Sequence, residues 1–263
     1  VDTVIATASG ALGAAIGVVT NIITTDHSTG VVVTGTSTDK SSLTGTSVSV
    51  DADAKEGISS LLIAASGAQY AAVSASVNVN RQLSDVSAAV DQTEVLDSFA
   101  QNANYLGRIT TSAITAAGSQ YAAVPISVVI NYADNAVSSS VAHSILRAEG
   151  QSASVGANRI SEFSSLNVTA SGAMYGAVAG LVNVNTIEGA TSAEVNDSEV
   201  KAGQFSVNAE NEDHLKVTDV TATGAIGSLG ASVVVSYFKG SSAANLRNSI
   251  VTADKLTVSS LQD

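Results

Sequence analysis

Tyr70, Tyr121 and Tyr175 recur at one position of a repeated motif, and an outward phenol ring at such a position can stack on the apolar face of a sugar. The same recurrence also suits a ladder of rings covering Ala-rich strands, and that packing role is the expected one. His27, His143 and His214 fall at three different places in the repeat, with no Cys and no His or carboxylate partners at ligand spacing, so no repeated metal site is expected. Asp51-Ala-Asp53 and Glu210-Asn-Glu212-Asp213 bring carboxylates together where calcium could bridge a turn. No Gly-Gly-x-Gly-x-Asp nonapeptide accompanies them, so the expectation is a solvated acidic edge and no cofactor, with calcium kept as the alternative. Twenty-three Asp and Glu always offer pairs for glycosidic cleavage, but neither an aromatic platform nor a unit that breaks the repeat stands beside any of them. No catalytic, cofactor or metal residue is therefore assigned, and the chain is not expected to be an enzyme.

The elements that must position these residues follow from composition and period. The chain has 263 residues, of which 45% are hydrophobic but only 4% aromatic, with no Trp, one Pro and one Met. Ala and Val supply the core, which must be thin. A net charge of −12 with scattered Lys and Arg argues against nucleic acid and anionic lipid as partners. The absence of Cys excludes disulfides and thiolate metal sites.

One motif occurs five times, with its glycines at Gly10, Gly67, Gly118, Gly172 and Gly224, spaced by 57, 51, 54 and 52 residues. This divides the chain into units of approximately 1–57, 58–109, 110–163, 164–215 and 216–263, expected to be a window of a longer repeat array. After each motif comes a strict alternation, as in Tyr70 to Asn80, Tyr121 to Asn131 and Tyr175 to Asn185, which predicts strand. The row Ala71, Val73, Ala75, Val77, Val79 is expected to be buried and the Ser and Asn row opposite it to face outward. That outward polarity argues against a membrane β-barrel and against insertion in a membrane. No helical period with caps appears anywhere.

Each unit then reads as about four short strands separated by turns, with residues 96–109 and 147–165 as loops projecting from one edge. Four short strands cannot cover their own faces, whereas stacked units can. The predicted fold is an all-β parallel solenoid of five repeats of roughly 52 residues, one coil per unit. Like then stacks on like: the five glycines at a bend, Thr36, Thr93, Ser144, Ser198 and Ser249 at a corner, and Asn80, Asn131 and Asn185 at a strand end. Pro125 conflicts with an interior strand and predicts a bulge or an unpaired stretch.

The segments Asp197 to Ala209 and Asn248 to Val258, followed by Ala-Thr/Ser-Gly-Ala and a strand ending Val-Asn-Val-Asn, resemble the repeats of filamentous-haemagglutinin-like and leukotoxin-like bacterial adhesins. The resemblance implies a right-handed β-helix, secretion to the bacterial cell surface, and a role in adhesion or filament formation. The first functional expectation is a rigid extracellular fibre or adhesin stalk that associates end to end. The alternatives are a glycan- or receptor-binding module using the outward loops and the tyrosines, and a polysaccharide-degrading β-helix enzyme. Spontaneous fibrillation is the hazard of bare terminal coils.

Overall fold

The computed structural model describes residues 1–263 and holds eleven strands and no helix. In chain order these are β1 (Asp2–Ala11), β2 (Ala14–Thr34), β3 (Ser41–Ala68), β4 (Ala71–Asp91), β5 (Thr93–Ser119), β6 (Ala122–Ala142), β7 (Ile145–Gly172), β8 (Gly176–Asn196), β9 (Glu199–Gly224), β10 (Gly227–Arg247) and β11 (Ile250–Gln262). Odd strands form one parallel sheet, ordered β1-β3-β5-β7-β9-β11, and even strands a second, ordered β10-β8-β6-β4-β2. Each repeat makes one coil: out along an odd strand to a tip, back along an even strand to a corner. The result is a parallel β-solenoid flattened into two facing sheets.

The four short strands expected per unit are in fact two long ones. Even strands of 21 residues extend over about 70 Å, whereas five strands stacked at ~4.8 Å rise only about 24 Å. Residues 96–109 and 147–165 are not loops: they lie in β5 and β7 and alternate between buried and outward positions. Their pattern is hard to see in sequence because the inward row mixes Phe99, Gln101, Tyr105, Arg159 and Phe163 with small residues. The length differences between units are absorbed by register shifts at Thr44/Ser47, Leu96/Phe99 and Ala148/Ser152, and by the turn at residues 35–40. Positive φ at Asp97 and Gly150 marks two of those shifts.

Pro125 pairs in register with Ser74 of β4, but its pairing with β8 is interrupted between Ala123 and Ile126. The proline thus occupies an unpaired stretch on one side of its strand, as its missing N–H requires.

The burial of the alternating rows is the reverse of that expected. Ala72, Ser74, Ser76, Asn78 and Asn80 point inward and are buried, while Ala71, Val73, Ala75, Val77 and Val79 face outward. The reason lies farther along the strand. Gln82, Ser84, Val86, Ala88 and Val90 share the parity of Asn80, and a strand keeps one face throughout its length. Near the corner this face joins the largest apolar cluster, with Val95, Phe99, Leu146, Val155 and Phe205, so the Ser and Asn residues are carried inward with it. Between the two halves runs a band of Ile58, Ile109, Phe163 and Ile187. The solenoid therefore has a mainly apolar interior and a charged exterior toward the corner, whereas toward the tip buried Ser, Thr and Asn are mixed with Leu62, Leu181 and Ala, and the outward face of the even strands is apolar.

Backbone pairing dominates the cohesion of such a thin core. Of 197 backbone hydrogen bonds, 175 lie within the strand ladders. Each is worth only about 0.5–1.5 kcal/mol net, but register multiplies them along every strand.

Candidate functional site

In-register stacking brings equivalent residues into columns about 4.8 Å apart. Asn131 is the centre of the clearest one: it accepts from Asn80 Nδ2 at 2.9 Å and donates to Asn185 Oδ1 at 2.9 Å. Thr111 of the facing sheet donates to Asn131 Oδ1 at 2.8 Å, which ties the two sheets together across the interior. In the terminal coils this column is filled by Ile23 and Ser236. A second amide column, absent from the sequence reading, is formed by Asn21 and Asn78 at 3.2 Å. Its period-two relation to Asn80 was the available signal. Asn78 also donates to Ser60 Oγ at 2.8 Å.

At the corner, Thr93 N–H donates to Ser144 Oγ, Ser144 N–H to Ser198 Oγ, and Ser198 N–H to Ser249 Oγ, each at 3.1 Å. Each of these hydroxyls, from Thr93 to Ser249, also donates to the carbonyl two residues earlier. The residue before each turns the chain with φ near +50°, at Gln92, His143, Asp197 and Asn248. Left-handed backbone at non-glycine residues costs of order 1–3 kcal/mol, and the hydroxyl column offsets it. Thr36 is not part of this column. Ser41 stands in register with Thr93 and donates to Thr34 O at 2.9 Å, while Thr36 closes the turn at 35–40 by bonding Asp39. The six-residue turn displaced the column member, and motif spacing alone could not reveal it.

Gly10, Gly67, Gly118, Gly172 and Gly224 are stacked in register at the tip. A Cβ on Gly67, Gly118, Gly172 or Gly224 would meet no atom within 4 Å, and none has positive φ. Elsewhere several glycines leave no room for a Cβ, among them Gly35, against the backbone of Gln92 and Ser41, and the pair Gly189 and Gly240. A Cβ on Gly189, at φ +144°, would collide with the Asn135 carbonyl oxygen, and one on Gly240 would collide with the Asn211 amide.

Those two glycines make room for Arg159, the largest fully buried side chain. Its Nη2 donates to Asp213 Oδ2 at 2.9 Å, and its Nη1 to Glu188 O and to Ser161 Oγ, each at 3.1 Å. Burial raises the Asp213 carboxyl pKa, with Arg159 opposing that shift; burial also lowers the guanidinium pKa, with Asp213 opposing. Tyr105 lies in the same interior ribbon, its phenol pushed well above the ordinary range by burial. The acidic cluster at Glu210–Asp213 is thus divided, with Asp213 turned in to an arginine and Glu210 outward. Asp51 and Asp53 accept hydrogen bonds from Asn102 and Asn104 of the next coil at 2.8 and 2.7 Å.

The histidines sit apart, each beside a carboxylate: His27 by Glu56, His143 by Asp91 and His214 by Glu212. No group of three metal-ligating side chains converges anywhere in the chain. Tyr70, Tyr121 and Tyr175 stack on one another with ring centroids 5.4 Å apart and interplanar angles of 14° and 19°. Tyr121 is stacked on both faces, whereas Tyr70 and Tyr175 at the ends of the stack each have one face engaged and are the more exposed, at 54% against 44%. The open depression between Arg108, Glu162, His214 and Lys216 includes Phe163 in its lining, but that side chain is only 2% exposed.

What these residues do chemically is to bond one another, along the stacking axis and across the interior between the two sheets. The chain is a parallel β-solenoid repeat protein. Compared with protein-family models, curated proteins and solved structures, it matches none.

Proposed function

We propose that this chain is a structural segment of an extracellular β-solenoid fibre or bacterial adhesin stalk, without enzymatic activity, that extends by stacking coil on coil. One observation carries the reading: the repeated polar columns Asn80-Asn131-Asn185 and Thr93-Ser144-Ser198-Ser249 each bond from coil to coil along the stack. Side chains used in that way build length along one axis. The adhesin-like repeat motif supports the cell-surface setting. β1 and β11 in one sheet and β2 and β10 in the other stand at the ends of the stacks, where a parallel edge is a template for pairing with a further coil of this chain or of another copy.

Electron microscopy and fibre diffraction of the purified chain over a range of concentrations test this. Particles that lengthen along one axis and give a ~4.8 Å axial reflection are expected. Particles of constant length at every concentration, or turnover of any polysaccharide substrate, overturn the reading.

A further inference from the structure

The outward face of the even-strand sheet toward the tip is apolar over five strands and carries no charge. Its middle row is Thr20, Val77, Val128, Val182 and Val233, and Val124, Ile126 and Ile130 flank Val128 along β6. Residues 57–80, 109–133 and 163–187, which form the tips of three successive coils, include no Asp, Glu, Lys or Arg. Charges resume at Arg81 and, one outward position farther on, at the paired Asp134 and Glu188. Ile22 is 70% exposed and Leu229 64%, so neither border of this face is covered by the chain itself. Monomeric soluble proteins rarely leave so large an apolar surface in contact with water.

We propose that this face packs against the same face of a second copy of the chain, forming a two-fold, face-to-face pair of solenoids. The pairing is lateral, so it is separate from the end-to-end extension proposed above. Five strands at ~4.8 Å and nine residues at ~3.3 Å make a patch of about 700 Å². Two copies together bury about 1,400 Å², within the range of roughly 1,200–2,000 Å² that stable specific interfaces need. The surface is suited to sheet-on-sheet packing, because Val and Ile rows lie in register and β-branched side chains interdigitate at a spacing of ~10 Å between sheets. Lipid is the poorer occupant. Both sheets are open rather than closed into a barrel, and unpaired strand edges are not tolerated in hydrocarbon. The pair is isologous, so β6, the central strand of the five, lies near the two-fold axis.

The chain has no cysteine, so single cysteines report proximity cleanly. Val128→Cys is expected to cross-link to itself under mild oxidation. Ser138→Cys, outward on the same strand but in the charged half, is expected not to. End-to-end association does not bring two β6 strands together and gives no such cross-link. Sedimentation of the wild type is expected to show a dimer as its smallest species, and of the triple variant Val77→Lys, Val128→Lys, Val182→Lys a monomer with the same strand signal by circular dichroism. Should the triple variant fail to fold, the cysteine pair still decides. Equal cross-linking at positions 128 and 138, a wild-type monomer at all concentrations, or flotation of the wild type with phosphatidylcholine vesicles overturns the proposal.

Discussion

Arg159 and Asp213 meet at 2.9 Å inside the solenoid although 54 residues separate them, because Arg159 and Asn211 are paired in adjacent strands and Asp213 lies one inward position farther on. Both side chains are nearly inaccessible, at 0% and 6% exposure. Removing one member of a buried ion pair leaves the other uncompensated, which costs about 3–5 kcal/mol. Asp213→Asn is therefore expected to lower the stability of the chain by about that amount, measured by chemical denaturation. A change below 1 kcal/mol contradicts the buried pairing.

Asn131 is bonded on three sides. Asn131→Leu keeps the volume close but leaves Asn80, Asn185 and Thr111 short of partners. A buried polar group left unsatisfied costs about 1–3 kcal/mol, so a loss in this range is expected in thermal or chemical unfolding. The same change at Val128, which faces outward on the same strand, is expected to have a far smaller effect, since its side chain makes no hydrogen bond.

Two glycine substitutions separate recurrence from necessity. Gly118→Ala, at a column that repeats in all five units, meets open space and is expected to fall within about ±0.5 kcal/mol of the wild type. Gly189→Ala, at a position with no glycine in the third coil, forces a side chain onto left-handed backbone and against Asn135. A destabilisation of about 1–3 kcal/mol is expected there. Denaturation midpoints of the two variants decide the order.

Glu199 offers a titration test at the surface. A hydrogen bond from Lys201 holds its carboxyl below the usual glutamate range. A depressed carboxyl contributes stability that is present above its unfolded value of 4.5 and is lost as pH falls through the folded value. Carbon-detected NMR titration is expected to give a midpoint below 4.5 for Glu199, moving upward in Lys201→Ala. An unchanged midpoint in the variant removes the assigned cause.

Much of this architecture was legible in the chain itself. Glycines spaced by 51 to 57 residues set the coil length, and the alternation from Tyr70 to Asn80 set strand and excluded helix. The stacking of Asn80 on Asn131 and of Thr93 on Ser144 followed from that spacing, because equal coil lengths place equal residues over one another. Alternation, however, distinguishes two faces without saying which one looks inward. Stopping at Asn80, the Val row appears to be the core; extending to Val86, Ala88 and Val90, the opposite row does.

The amino-acid sequence by itself thus determined repeat length, strand character and the identity of the residues that stack, since these depend only on spacing along the chain. Tertiary structure alone decided that the Asn row is interior, that Ser41 rather than Thr36 joins the corner column, and that Arg159 finds Asp213. Each of these depends on the facing sheet or the neighbouring coil. Burial is a property of what lies opposite a residue, and no local pattern contains it.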